Sequence, residues 1–161
     1  MEYWLSFLGL VFGVLLGFLT KEEYKPGKKY FEIIRRVVLF LMVVSLLYYS
    51  RSFFSAVFFG LGFIVALYFR KSYFYLGLGL VALANFWMMS LIFVFGLVYG
   101  TLSSKKYWKD YRKVVFPLFL QLVWFLIPLV FLGFEFEYLS GFAAGALFFI
   151  FLAKWENIKK S

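Results

Sequence analysis

Residues 72–104 read Ser-Tyr-Phe-Tyr-Leu-Gly-Leu-Gly-Leu-Val-Ala-Leu-Ala-Asn-Phe-Trp-Met-Met-Ser-Leu-Ile-Phe-Val-Phe-Gly-Leu-Val-Tyr-Gly-Thr-Leu-Ser-Ser, 33 positions without one charged side chain. How this stretch is divided decides the fold. As one helix it would be about 50 Å long at 1.5 Å per residue. A bilayer's hydrocarbon core is only about 30 Å thick, and tilt absorbs such an excess poorly. As a tight hairpin it gives two short helices. Asn85 is the natural place to turn, because Asn tolerates turn conformations. Phe86-Trp87 beside it suit the level of the lipid headgroups.

The rest of the chain follows the same pattern. Residues 3–20, 37–50, 52–69, 114–134 and 138–153 also lack Asp, Glu, Lys and Arg. Charge is costly at the centre of a bilayer, so uncharged runs of this length read as membrane spans. The expected fold class is all-α: a compact polytopic bundle of seven transmembrane helices, with six as the alternative. Residues 2–19 form the first span. Arg51 splits 37–69 into two helices of roughly 15 residues each. Residues 114–133 and 138–153, separated by Glu135 and Glu137, form the last two.

Charge counting decides between seven spans and six. Lys and Arg number six in 20–36, two in 70–72, five in 103–113 and three in 154–161, with Arg51 alone. With seven spans, sixteen of these 17 lie on one side. With 72–104 as a single helix, the split is eight against nine. The positive-inside rule selects seven spans, the N-terminus outside and the C-terminus in the cytoplasm, in the plasma membrane. The same rule accounts for a net charge of +9 without nucleic acid, the lysines meeting anionic lipid headgroups instead.

The 161 residues are 65% hydrophobic and 26% aromatic, which leaves room for one membrane domain, 1–161, and no extramembrane one. A chain with no Cys and no His lacks thiolate chemistry and the commonest metal ligand and general base. No motif for catalysis, a metal or a cofactor is present, so a non-enzymatic role is expected. The first apolar run has no basic segment ahead of it and reads as a retained helix. A Phe-, Lys- and Tyr-rich composition free of Cys and His fits a prokaryotic source.

An internal repeat is expected at an offset of 83. Trp4, Leu8, Val11, Phe12, Gly13, Gly17, Leu19 and Tyr24 match Trp87, Leu91, Val94, Phe95, Gly96, Gly100, Leu102 and Tyr107, eight identities in 21 positions. After a six-residue gap, Arg35, Val37, Val38 and Leu41 meet Arg112, Val114, Val115 and Leu118. The repeat units are then 1–71 and 84–155, joined by a linker helix at 73–84. This layout of three, one and three helices resembles that of the sugar-transporting SWEET proteins in architecture alone. Only Pro117 and Pro128 fall within spans, both in one helix, so the proline pattern of that family's repeated helices is missing.

Candidate functional positions are few. Gly9, Gly13 and Gly17 share one helix face, and Gly96/Gly100 and Gly141/Gly145 repeat the spacing of four that lets helices pack closely. Gly60/Gly62 and Gly77/Gly79 either do the same or soften their helices. Gln121 lies between Pro117 and Pro128, and proline frees backbone carbonyls one turn back, so this helix is the candidate lining element with Asn85 as a second amide. Glu135 and Glu137 are candidates for an entrance. Pro26-Gly27 predicts a turn, after which Lys28, Lys29, Arg35 and Arg36 open the second helix. These four, with Lys105, Lys106, Arg112 and Lys113, form loops suited to lipid headgroups or to a partner. The expected function is passive facilitation of a neutral or lipid-like molecule. The alternative is a structural or assembly subunit of a larger membrane complex, or a homo-oligomer.

The seven-span reading fixes sidedness. With single cysteines and a membrane-impermeant thiol reagent on intact cells, Ser104→Cys and Ser161→Cys should be protected and Glu135→Cys labelled. Labelling of Ser104→Cys would establish one long helix over 72–104.

Overall fold

The computed structural model describes residues 3, 5–20, 24–50, 53–108, 110–130 and 138–159. All the regular structure among them is helical. Seven α-helices follow in order: α1 (Leu5–Leu19), α2 (Tyr24–Tyr49), α3 (Phe53–Tyr68), α4 (Ser72–Ala82), α5 (Phe86–Ser104), α6 (Val115–Leu129) and α7 (Leu139–Lys159). Two short 3-10 turns, Lys105–Tyr107 and Tyr111–Val114, join α5 to α6.

The 72–104 stretch is divided. α4 ends at Ala82 and α5 begins at Phe86. The turn needs neither Gly nor Pro because Leu83 and Asn85 both keep negative φ, −132° and −123°. Asn85 then caps α5, its side-chain oxygen accepting from the Met88 amide at 2.8 Å. That bond satisfies one of the amides a helix start leaves unpaired. The six-helix alternative is thereby removed.

The turn expected at Pro26-Gly27 does not form. α2 begins at Tyr24 and runs through both residues. Pro26 falls in the first turn, where the missing amide hydrogen would have had no partner in any case.

Glycine contacts set the direction of the helices. A Cβ on Gly9 or Gly13 would strike the carbonyls of Phe93 and Leu97, and one on Gly17 would sit 2.9 Å from the Thr101 oxygen. From the other side, a Cβ on Gly96 or Gly100 would sit 2.7 Å from the Leu10 or Val14 amide nitrogen. Contact positions rise together along both chains, so α1 and α5 are parallel and touch backbone to backbone. Thr101 reinforces the contact, its hydroxyl reaching the Gly13 carbonyl at 3.0 Å, and the Trp108 indole N–H donates to the Gly17 carbonyl at 3.2 Å.

A second parallel pair is built the same way. Gly145 meets the Phe59 carbonyl, Gly141 meets Ser55, and Gly62 meets the Phe142 carbonyl, joining α3 to α7. Gly60 faces open space and takes no part. α4 is parallel to α6, with Gly77 against the Phe125 carbonyl and Pro128. α2 is antiparallel to both α5 and α7. The Trp87 indole N–H donates to Ser45, and Phe40 meets Phe151 with ring centroids 6.2 Å apart.

α4 is the centre of the bundle. It is only 11 residues, about 17 Å long. Tyr75, Leu76 and Leu80 on it are fully buried, among Leu39, Met42, Leu46, Ile92 and Leu147 from three other helices. A helix apolar on every side belongs inside a core.

The outer faces are apolar as well. Phe12, Leu15, Val44, Leu47, Phe54, Val57, Ile64, Phe116 and Phe119 are all exposed, Phe53 is 82% exposed and Tyr68 88%. Two helices, Phe86–Tyr107 and Arg112–Leu129, are long and apolar enough to cross a membrane. Leu5–Leu19, Phe53–Tyr68, Ser72–Ala82 and Leu139–Ala153 are shorter apolar helices.

Backbone contact leaves no space for a side chain. Gly13→Val should destabilise the protein by about 3 kcal/mol through overpacking, read as a large fall in melting temperature. Gly60→Ala should be neutral or stabilising by up to about 1 kcal/mol, since only helix propensity changes there.

Candidate functional site

The helix directions gather the described basic residues at one end of the bundle. Lys28, Lys29, Arg35 and Arg36 lie in the first half of α2. Arg70 and Lys71 precede α4. Lys105, Lys106, Arg112 and Lys113 sit between α5 and α6. Two ion pairs soften this charge locally, Lys28 with Glu32 at 3.6 Å and Lys113 with Asp110 at 3.3 Å. Both lie at the surface, where such pairs contribute little to stability.

At this basic end a cavity of about 250 Å³ opens between α4, α5 and α6. Arg70, Lys71, Ser72 and Tyr73 line it from the start of α4, Tyr99 from α5, and Pro117, Leu120, Gln121 and Trp124 from α6. No carboxylate is among these residues. Each side chain is placed by its helix. α4 and α6 are parallel, so their first two turns stand side by side. Tyr73 points inward and packs edge-on against Phe7 and Tyr99. Gln121 hydrogen-bonds Tyr99. The Lys71 ammonium lies over the Trp124 ring, 5.7 Å from its centroid, and the Arg70 guanidinium lies 5.7 Å from that of Phe149. Cation–π contact of this kind holds long basic side chains in place.

Three polar atoms here are buried without a hydrogen-bond partner among the described residues: the Tyr73 hydroxyl, the Gln121 carbonyl oxygen and the Trp124 indole nitrogen. Buried polar groups are nearly always satisfied. Three such atoms around one cavity mark it off from the rest of the bundle.

The positions singled out in the sequence fall in different places. Gln121 and Pro117 both line the cavity. Pro128 does not. It lies in the last turn of α6, buried against Gly77. Asn85 caps α5 at the opposite end, so it cannot share a site with Gln121. Gly9, Gly13, Gly17, Gly96, Gly100, Gly141 and Gly145 each meet a neighbouring helix. Glu135 and Glu137 are outside the described residues. The far end carries a groove of about 320 Å³ between α1 and α5, lined by Leu5, Leu8, Phe93 and Val94 among others, with only Ser6 and Ser90 to offer hydrogen bonds. The His/Cys/Asp/Glu clusters that hold metals do not occur among the described residues.

Sequence reasoning missed Tyr73, Tyr99 and Trp124. Tyr and Trp counted as apolar there, although each carries a polar handle that burial obliges it to satisfy. An aromatic hydroxyl two residues after Arg70-Lys71 was the available signal.

Removing an unsatisfied buried hydroxyl should help the fold. Tyr73→Phe should raise stability by about 1 kcal/mol, seen as an upward shift of the melting temperature of the purified protein.

Comparison with known proteins finds no match: no family model, no curated protein and no solved structure aligns with this chain.

Proposed function

We propose that this chain is an integral membrane protein of seven spans, with its basic end toward the cytoplasm, that works as a passive facilitator for a lipid-like molecule. The cavity at the basic end carries the reading. It is a polar recess on a body whose outer faces are otherwise apolar. α1, α2, α3 and α6 all present exposed Phe, Leu, Val or Ile, and broad exposed apolar faces mark surfaces that meet membrane or protein. Asymmetry of charge gives the orientation. α6 supplies four lining residues and has few buried positions, with Phe116, Phe119, Leu120, Leu126 and Ile127 exposed, so a bound molecule can keep its tails in lipid.

Short helices favour the same reading. α1 has 15 residues and α3 16, about 23 Å each, against roughly 30 Å of hydrocarbon. Spans that short thin the bilayer around them, which lowers the barrier a polar headgroup meets on crossing. Duplication of a three-helix unit is part of the proposal. Two of its counterpart pairs, α1 with α5 and α3 with α7, run parallel and in contact, an arrangement that a parallel repeat allows.

A second reading, a packing subunit of a larger membrane complex, draws on the filled centre around α4, where Tyr75, Leu76 and Leu80 leave no continuous path.

Reconstitution separates the two. In vesicles carrying a headgroup-labelled phospholipid, an impermeant reductant should bleach more than the outer-leaflet fraction when the protein is present. Bleaching that stops at that fraction would overturn facilitation and leave the packing subunit.

A further inference from the structure

We propose that the cavity at the start of α4 and α6 binds an anionic phosphate ester that also carries hydroxyl groups, such as the headgroup of a polyol phospholipid or a soluble glycerol phosphate. This deepens the facilitator reading and rests on it for its biological meaning, though the binding itself is separable.

Charge comes first. Arg70 and Lys71 stand at the cavity, Arg35 approaches Tyr99 from α2, and no acidic side chain is among the described lining residues. Ion pairing leaves Arg70 and Lys71 to their rings: neither has a carboxylate partner among the described residues. α4 also starts here with no side-chain cap, so the positive end of its dipole lies at the cavity.

The unsatisfied atoms then define the ligand more closely. The Trp124 indole nitrogen only donates, the Gln121 carbonyl oxygen only accepts, and the Tyr73 hydroxyl does either. Tyr73 is only 3% exposed, so water at the protein surface does not satisfy it. A ligand that answers all three must offer an acceptor to Trp124 and a donor to Gln121. Phosphate diesters whose alcohol groups carry no hydroxyl supply acceptors alone. A choline headgroup has no hydrogen-bond donor. An ethanolamine headgroup donates through a cation, which Arg70 and Lys71 repel. A phosphate with neighbouring hydroxyls meets every requirement. A volume of about 250 Å³ suits such a headgroup and is smaller than pockets that take drug-sized ligands.

The test is titration of the detergent-purified full chain, followed by calorimetry, with three probes: dioctanoyl phosphatidylglycerol, dioctanoyl phosphatidylcholine and glycerol 3-phosphate. The glycerol lipid should bind saturably and the choline lipid at least tenfold more weakly. Lys71→Gln, on an exposed side chain, should weaken binding roughly tenfold, as loss of a charged contact does. Tyr73→Phe and Gln121→Leu should each weaken it roughly fivefold. Circular dichroism and elution volume identify variants that fail to fold. Glycerol 3-phosphate binding as tightly as the lipid assigns a soluble ligand, whereas lipid binding alone assigns a headgroup. Equal binding of both lipids, no binding, or wild-type affinity in both Lys71→Gln and Tyr73→Phe would overturn the site. Because binding is read in detergent, binding without vesicle transport refutes facilitation only, and transport without binding refutes the site only.

Discussion

Everything in this bundle depends on backbone meeting backbone at the glycine faces. Gly9 and Gly13 receive the carbonyls of Phe93 and Leu97, while Gly96 and Gly100 receive the amides of Leu10 and Val14. A single methyl group on any of them would force the helices apart. Where the surroundings are as apolar as the core, burial of oily side chains does little to hold helices together, and close packing must do more. The Thr101 hydroxyl and the Trp108 indole then add hydrogen bonds to α1 carbonyls across the same contact. Because α1 and α5 are locked in parallel, the intervening helices must return the chain to the same end. The direction of α2, α4 and α6 follows, and with it the placement of every loop.

That chain of constraint connects packing to charge and charge to the cavity. The basic segments share one end because the helices between them number two or a multiple of two. α4 and α6 start at that end side by side, so Arg70 and Lys71 stand across from Gln121 and Trp124. α4 is buried along most of its length, whereas α6 has few buried residues and several exposed ones. The recess between them is therefore the place where buried polar atoms and the outer surface come closest.

Much of the fold was legible in the sequence because it is governed by residue types with one overriding physical cost. The charge-free runs, the break at Asn85 and the spacing of the glycines all follow from what a helix or a bilayer forbids. Pro26-Gly27 misled because proline is punctuation in a helix interior and harmless in a first turn, and only the helix boundary tells the two apart. The partners of the glycine faces could not be read, since GxxxG names a face and not the helix that meets it. Part of the candidate site was legible: Gln121 and Pro117 stood out as polar or kinking residues in an apolar run. Tyr73 and Trp124 did not, because an aromatic ring in such a run is ordinary until its polar atom is found buried. Asn85 stood out for the right reason, and its amide is spent on a cap.

The pairing of helices distant in the chain bears on how the protein is made. α1 closes on α5 and α3 on α7, while consecutive helices touch little, α4 and α5 included. Hairpins formed during synthesis therefore cannot hold the first half together. α1 emerges from the ribosome some 80 residues before its partner, its glycine face uncovered in the meantime. Such non-local assembly is slow and leaves sticky intermediates. A nascent chain stopped after α4 has neither glycine contact made, and its first three helices are free to pair with other proteins or to meet the cell's degradation machinery.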